Sequence, residues 1–350
     1  MIVVMKTHSS QKQLDHIVNK LESVDFKVHL SKGVHRTIIG VIGEKKDKET
    51  MKMKIEAMDG VEKVISILDS YKLTGRDFKP EKSVIDIDGI KIGGEEIIVM
   101  AGPCSVENEE QIIKTAIAVR DAGAKILRGG AYKPRTSPYS FQGLGEKGLK
   151  LMALAKQKTG LKIITELMNR EDMEMVCHYA DILQIGARNM QNYSLLKAVG
   201  KINKPVMLKR GFASTIKEWL LAAEYIMKEG NHQVILCERG IRTFGEKTRN
   251  TLDLSSVPLI HKLSHLPIVV DPSHGTGKWK LVTPMARAAV ACGTDGLIVE
   301  VHPQPEDALS DGQQSLTPKN FQNMMYEITK IADVLERKVY CPGVVSNGII

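Results

Sequence analysis

Short apolar runs alternate with amphipathic segments along most of the chain, and this alternation limits the fold more than any other feature. Eight such runs follow Glu95, and most are separated by one segment with apolar residues at helical spacing. Eight strand–helix pairs in about 245 residues are typical of a (β/α)8 barrel. A doubly wound sheet usually carries a GxGxxG fingerprint after its first strand, where this chain reads AGPCSVE. The pattern therefore predicts an α/β fold with a (β/α)8 TIM barrel over residues 95–338.

The remaining segments predict a second, smaller domain and two connections. In residues 1–70, four β-rich runs and two amphipathic segments follow the order βαββαβ, which is that of a ferredoxin-like domain. Residues 71–94 are expected to form a linker with a short hairpin, because Asp88-Gly89 lies between alternating apolar residues. Residues 339–350 are then a C-terminal tail.

The predicted strand ends of the barrel carry an unusual share of charged side chains. Active sites of such barrels lie where the strands end, so these side chains are expected to meet at one mouth. Six or seven cations there would repel one another, and we expect phosphate or carboxylate ligands to compensate them. The residues at or near these ends are Cys104, Arg128, Lys133, Arg135, Glu166, Gln184, Arg188, Lys209, Arg210, Glu238, Arg239, Asp271, His274, Glu300 and His302.

The loop RGGAYKPRTSPYSFQG strengthens the expectation of an anionic ligand. Residues 122–145, which contain it, include four basic residues and no acid. Lys133 and Arg135 flank a proline that favours extended backbone, and the hydroxyl of Thr136 follows. The two glycines of RGG are expected to let the backbone approach a ligand closely. The loop is thus a candidate site for one phosphate and part of a second anion.

A second group of residues predicts a metal site. Cys104, His274 and Glu300 end the first, seventh and eighth predicted strands, and Asp311 follows in the next loop. A thiolate, an imidazole and two carboxylates suit a divalent transition metal such as manganese, iron, cobalt or zinc. Their spacing forms no local motif, so this prediction depends wholly on the barrel. Two further side chains could replace the histidine and the aspartate, namely His302 and Asp307.

Composition excludes some classes of function. The net charge is +8, but the basic residues are mixed with acids and aromatic residues make up only 5% of the chain, which argues against nucleic-acid binding. No apolar run reaches membrane-spanning length, and no signal peptide is recognisable. Five scattered cysteines without paired spacing suit a reducing cytoplasm.

Seven longer segments together resemble 3-deoxy-D-arabino-heptulosonate-7-phosphate (DAHP) synthase, in the subtype with a compact barrel and an N-terminal ferredoxin-like domain. The resemblance implies condensation of phosphoenolpyruvate with erythrose 4-phosphate and water, giving DAHP and phosphate, as the first step of the shikimate pathway. Both substrates are phosphorylated, which would account for the cations. The segments are AGPCSVE, LRGGAYKPRTSPYSFQG, DILQIGARNMQN, VMLKRG, ILCERGIRTF, VVDPSHGTG and LIVEVHPQPEDALSDGQQSL.

The resemblance also implies roles for individual residues. The implied metal ligands are Cys104, His274, Glu300 and Asp311. The implied phosphoenolpyruvate pocket consists of Arg128, Lys133, Arg188, Lys209 and Arg239. Arg135 and Thr136 would contact erythrose 4-phosphate. Lys133 is a candidate proton donor to the developing alkoxide, in a catalytic group with Cys104 and His274.

Further expectations concern the role of the N-terminal domain, the oligomeric state and rival functions. By resemblance, the N-terminal domain binds tyrosine or phenylalanine as a feedback inhibitor. We expect the protein to be a homotetramer. The alternative is that this domain only mediates contacts between subunits. A rival function is 3-deoxy-manno-octulosonate 8-phosphate synthase, but its loop typically reads KANR where this chain has KPRT. A non-catalytic phosphometabolite sensor is disfavoured because all the implied ligands and cations are present.

Overall fold

The computed structural model describes residues 1–33, 37–43, 48–65, 71–134 and 137–342. The chain divides into two compact units, residues 1–70 and 71–350.

The N-terminal unit is a four-stranded antiparallel sheet with two helices. Its strands lie side by side in the order β2-β3-β1-β4, which is the ferredoxin-like topology predicted from the sequence. The elements are β1 (Ile2–Met5), α1 (Gln11–Glu22), β2 (Lys27–Lys32), β3 (Thr37–Ile42), α2 (Lys48–Glu56) and β4 (Val61–Ile65).

Helix α1 illustrates why this unit folds. Ser10 and Gln13 form a capping box, in which each side chain satisfies a free backbone N–H at the start of the helix. Leu14, Ile17 and Leu21 recur at helical spacing and are buried against the sheet. The apolar face of α1 therefore packs against the sheet and leaves its polar face on the outside.

The second unit is a closed barrel of eight parallel strands, which confirms the predicted fold class. Each strand is paired in parallel with both neighbours, and β14 closes the barrel against β7 over five residue pairs. The strands are β7 (Ile98–Gly102), β8 (Ile126–Arg128), β9 (Lys162–Glu166), β10 (Ile182–Ile185), β11 (Val206–Lys209), β12 (Val234–Glu238), β13 (Ile268–Val270) and β14 (Gly296–Glu300).

Helices follow the barrel strands and bury apolar faces against them. The largest buried side chains of this outer layer are Trp219 and Phe321, both fully buried. The helices are α3 (Glu109–Asp121), α4 (Glu146–Thr159), α5 (Met173–Tyr179), α6 (Tyr193–Val199), α7 (Ile216–Lys228), α8 (Ser256–Leu263), α9 (Pro272–Thr276), α10 (Trp279–Ala291) and α11 (Pro318–Val334).

A hairpin closes the N-terminal end of the barrel. Strands β5 (Ile85–Ile87) and β6 (Ile90–Ile92) pair antiparallel across the Asp88-Gly89 turn, where both residues have positive φ. Ile85, Ile87 and Ile92 join one buried cluster with side chains from the barrel interior. The predicted hairpin therefore exists, and its apolar side chains fill this mouth of the barrel.

Candidate active site

The open mouth contains a cavity of about 340 Å³. It lies at the carboxyl ends of the strands, where the sequence predicted a site. The lining includes all five cations proposed for one pocket and two of the proposed metal ligands: Arg128, Lys133, Arg188, Lys209, Arg239, His274 and Asp311.

Three of the predicted metal ligands form a compact group. Donor atoms of Cys104, Glu300 and Asp311 all lie within 4.8 Å of one another. Cys104 and Glu300 are buried, and Asp311 is partly buried. One sulfur and two carboxylate groups at this separation suit a single divalent transition metal better than calcium or magnesium, which prefer oxygen alone.

His274 lies beside this group, with Nε2 3.5 Å from Glu300 Oε1. Its Nδ1 is 2.8 Å from Asp271 Oδ2, so we assign the ring proton to Nδ1. Burial lowers the pKa of His274 despite the nearby carboxylates, which favours the neutral ring. The unprotonated Nε2 of His274 then faces the carboxylate oxygen of Glu300, and no hydrogen bond can form between these two acceptor atoms. A bound cation would satisfy both atoms, so these residues fit the metal that the donor set predicts.

The two alternative ligands lie elsewhere. His302 accepts a hydrogen bond at Nδ1 from the backbone of Gln304, and its Nε2 is 3.4 Å from Glu107. Asp307 is exposed in a short 3-10 turn. Of the candidates that the sequence left open, His274 and Asp311 are the two that lie beside Glu300 and Cys104.

The surroundings of Cys104 affect the pKa of its thiol. Its Sγ is 3.0 Å from Lys133 Nζ and 3.0 Å from the Ser310 hydroxyl. Burial, followed by the negative charge of Glu300, raises the pKa of the Cys104 thiol to about 11 in the absence of metal. A metal ion would have to displace this proton, as thiolate ligation requires.

Asp311 is held in position by its backbone and by charge. Its φ of +52° lies in the left-handed region, which Asp tolerates better than most residues. Burial alone would raise its pKa, but the positive charge of Arg249, followed by other neighbouring groups, lowers it to about 2. Asp311 therefore presents an ionised carboxylate to the cluster at neutral pH.

Internal carboxylates pair with several of the predicted cations, so ligands are not the only compensation for the charge at this rim. Three basic residues at the rim are buried in ion pairs within the protein, each 2.6–2.8 Å long. The sequence did not reveal these pairs because the two partners of each pair are far apart along the chain. They are Arg128 with Glu300, Lys209 with Asp271, and Arg210 with both Glu238 and Asp253.

The two glycines of RGG have a different role from the one expected. Neither lines the cavity. A Cβ on Gly130 would lie 2.8 Å from the Lys133 side chain and 2.9 Å from the carbonyl of Cys104. The absence of a side chain at Gly130 therefore allows Lys133 to reach the sulfur of Cys104, rather than allowing a ligand to reach the backbone.

Two predicted residues, Arg135 and Thr136, lie outside the described residues. Their neighbours Pro134 and Ser137 line the cavity, as does Ser140 further along the loop. The loop therefore borders the mouth on both sides of the gap.

Some residues of the site were missed by the sequence reasoning. Gln314 donates a hydrogen bond of 2.7 Å to Glu300 Oε2 and accepts one from Arg249. Arg249 also lies 3.4 Å from Asp311 and lines the cavity. Neither residue follows a strand directly, so only the fold of the loops reveals them. Asp271 was noted at a strand end, but its position three residues before His274 could have indicated a partner for the imidazole.

The fold and the rim together define a (β/α)8-barrel protein with a cationic cavity beside a candidate metal centre. A family model described as "DAHP synthetase I family" matches residues 76–336, and one described as "DAHP synthase ferredoxin-like domain" matches residues 1–69. The chain therefore belongs to the DAHP synthetase I family, as its motifs predicted, and it is an enzyme. No helix within the described ranges combines the length and apolar character that a membrane crossing requires.

Individual relatives agree with this assignment. The chain is 54% identical to phospho-2-dehydro-3-deoxyheptonate aldolase of Thermotoga maritima, over 97% of this chain and 100% of that one. The crystal structure of a Thermotoga maritima DAHP synthase aligns with a TM-score of 0.86 and 53% identity, covering 97% of this chain and 98% of the other. Identity falls to 30% with 2-dehydro-3-deoxyphosphooctonate aldolase of Acidithiobacillus ferrooxidans, over 69% of this chain and 91% of that one.

Proposed function

We propose that this enzyme condenses phosphoenolpyruvate with erythrose 4-phosphate and water to form DAHP and phosphate. The observation that carries this proposal is the position of the cationic cavity directly beside the Cys104, Glu300 and Asp311 group. A phosphorylated enol needs cations, and a condensation with an aldehyde needs an electrophilic catalyst at the same mouth. The family assignment supports the same reaction, the first step of the shikimate pathway.

Phosphoenolpyruvate would bind through the five cations of the cavity. Arg188 and Arg239 have no carboxylate partner among the described residues, so their charge is available to the phosphate. The Nε of Arg128 is buried and has no hydrogen-bond partner within the described part of the chain. An orphaned buried donor costs stability unless a ligand satisfies it, and the carboxylate or phosphate of the substrate could do so.

Cys104, His274, Glu300 and Asp311 would hold the divalent metal. When bound, such an ion supplies Lewis-acid stabilisation of negative charge on the aldehyde oxygen. Asp271 would fix the imidazole of His274, because it accepts hydrogen bonds from both Nδ1 and the backbone N–H of that residue.

The bond changes follow from the chemistry of the substrates. The C3 carbon of phosphoenolpyruvate attacks the aldehyde carbon, and the new carbon–carbon bond leaves positive charge at C2. Water adds to C2, and phosphate leaves with cleavage of its bond to C2. Lys133 would give a proton to the alkoxide formed from the aldehyde, and its buried amino group beside the proposed metal ligand Cys104 supports this role. Retention of full turnover by Lys133→Arg would count against this role.

The aldose would contact the loop that borders the cavity. We propose Arg135 and Thr136 as its ligands, with the arginine on the phosphate of erythrose 4-phosphate. The neighbouring cavity residues Pro134 and Ser137 support this placement.

For the N-terminal unit we propose feedback inhibition by tyrosine, phenylalanine or both. The match of residues 1–69 to a domain found in DAHP synthases supports a regulatory role. We further propose a cytoplasmic homotetramer.

The decisive experiment measures phosphate release from phosphoenolpyruvate by the purified full-length protein. We expect release with erythrose 4-phosphate, loss of release with a chelator, and recovery when manganese is restored. Faster release with arabinose 5-phosphate would instead support the octulosonate reaction. Addition of tyrosine or phenylalanine should lower the rate in the full chain, and deletion of residues 1–70 should abolish this inhibition while leaving turnover.

A further inference from the structure

Phe212 occupies a fixed position at the mouth of the barrel. It follows β11 and lines the cavity. The turn that carries it is tight, because a Cβ on Gly211 would lie 2.4 Å from the Ser214 hydroxyl. Arg210 closes the turn by donating from Nε to the Ser214 carbonyl at 2.9 Å. These contacts fix the backbone of the turn that carries the ring.

Three guanidinium groups surround the ring of Phe212. The central carbon of each lies within about 6 Å of the ring centroid, the range in which a cation is attracted to an aromatic face. The distances are 4.7 Å for Arg239, 4.9 Å for Arg242 and 5.4 Å for Arg188. The backbone N–H of Arg242 also donates to the Phe212 carbonyl at 2.7 Å. Both the ring and the backbone of Phe212 therefore contact Arg242.

These three arginines differ from four other rim cations in what surrounds them. Within the described ranges, carboxylates lie within 4 Å of Arg128, Lys209, Arg210 and Arg249, and none lies that close to the three arginines around Phe212. Arg239 is buried, and this burial lowers its pKa. Arg239 therefore keeps its positive charge at an energetic cost.

An aromatic ring offers a compensation that a carboxylate cannot. The face of the ring carries partial negative charge, which attracts a guanidinium without cancelling its formal charge. A carboxylate in the same place would pair with the arginines and compete with an incoming phosphate. The ring can therefore hold three cations together and leave their hydrogen-bond donors free for an anion.

We propose that Phe212 is a positioning residue that assembles Arg188, Arg239 and Arg242 into one phosphate-binding group. This adds Arg242 to the cations of the site. Identification of the bound group as the phosphate of phosphoenolpyruvate rests on the proposed function, but phosphate binding itself does not.

The test compares variants of the metal-loaded, full-length enzyme. Phe212→Leu keeps apolar bulk and removes the aromatic face, whereas Phe212→Tyr keeps the face. Calorimetric titration with inorganic phosphate should show that Phe212→Leu raises the dissociation constant about tenfold, with Phe212→Tyr close to the wild type. Phe244→Leu is the matched control, because the Phe244 ring is fully exposed in the loop that follows β12. Its phosphate affinity should not change.

Steady-state kinetics separates positioning from a general structural defect. Phe212→Leu should raise the KM for phosphoenolpyruvate by a similar factor, with kcat and the KM for erythrose 4-phosphate nearly unchanged. Arg242→Gln alters an exposed side chain and should weaken phosphate binding even if Phe212→Leu folds poorly. Unchanged phosphate affinity in Phe212→Leu and Arg242→Gln, or equal loss in Phe212→Leu and Phe212→Tyr, would overturn the inference. Phosphate binding without DAHP formation by the wild type would overturn the proposed function instead.

Discussion

The two ends of the barrel are built from the same strands and have opposite chemistry. On seven strands, a buried residue of the inner apolar layer is followed two positions later by a polar residue at the open rim. Because side chains alternate along a strand, both members of each pair point into the barrel. The pairs are Ile126 and Arg128, Ile164 and Glu166, Ile182 and Gln184, Met207 and Lys209, Cys237 and Arg239, Val269 and Asp271, and Ile298 and Glu300.

The remaining strand differs in an instructive way. On β7, Met100 belongs to the apolar layer, but the residue two positions later is Gly102. A Cβ there would lie 2.1 Å from the Arg128 carbonyl, so no side chain fits. The thiol of Cys104 reaches the rim two residues further on. One end of each strand therefore contributes to stability and the other carries the residues of the candidate active site. Substitutions at the closed end should change stability, and substitutions at the open end should change activity.

The largest separation is expected between two buried cysteines. Cys104→Ala removes a proposed metal ligand and should lower kcat/KM by about 10³-fold or more, roughly 4 kcal/mol in transition-state stabilisation. Cys237→Ala makes the same change in the apolar layer and should leave kcat unchanged while costing about 1 kcal/mol of stability. Steady-state assays with metal analysis would measure both. Full metal content and activity in Cys104→Ala would show that Cys104 is not a metal ligand and would contradict the difference expected between the two cysteines.

The next largest effect is expected at the closed end. Ile92→Ala empties a fully buried position under the barrel and should lower the free energy of unfolding by about 2–5 kcal/mol. The open rim should keep its geometry, so kcat at 25 °C should stay within about twofold of the wild type. Denaturant titration and an assay on the same sample give both values. A large fall in kcat with unchanged stability would show that the two ends are not separable.

A smaller effect is expected from the residue that supports His274. Asp271→Asn removes the charge that faces both Nδ1 of His274 and the ammonium of Lys209. Loss of such a partner typically costs 10–100-fold in metal affinity or activity. Competition with a chelator would measure the metal affinity. Asp253→Asn, which alters an ion pair of Arg210, is the control and should bind metal as the wild type does.

The smallest effect concerns pH and the closed end. His265 precedes β13. Its Nε2 donates a hydrogen bond to the Leu73 carbonyl, its Nδ1 lies 2.8 Å from the Ser83 hydroxyl, and burial lowers its pKa below 6.5. The unfolded chain therefore takes up a proton at a higher pH than the folded one. The stabilising contribution of neutral His265 is present above pH 6.5, and it is lost as the pH falls through the pKa that His265 has in the folded protein. Denaturant titrations between pH 7.5 and about 5 should show a shallower loss in His265→Gln than in the wild type. Equal slopes would refute this contribution.

Much of this architecture could be predicted from the sequence because it follows from periodicity. Apolar runs at strand spacing located the strands, and Asp88-Gly89 located the hairpin. Once the barrel is assumed, the meeting of Cys104, Glu300 and Asp311 follows from the ends of the first and last strands, which are neighbours when the sheet closes.

The partners of the cations could not be predicted in the same way. The ion pair of Arg128 with Glu300 joins residues 172 positions apart, and its formation depends on the register of three strands. The grouping of arginines around Phe212 depends on a tight turn and on side-chain geometry. Periodicity contains no information about either, so sequence reasoning counted charges that the fold had already neutralised.

The central claim is that one rim holds a thiolate-bound metal beside a phosphate site. A crystal structure with manganese and phosphoenolpyruvate, with anomalous diffraction at the metal edge, tests it most directly. The account predicts one anomalous peak bonded to Cys104, His274, Glu300 and Asp311, with the substrate phosphate on Arg188 and Arg239. An ion bound away from the sulfur of Cys104, or a phosphate bound away from these arginines, would contradict it.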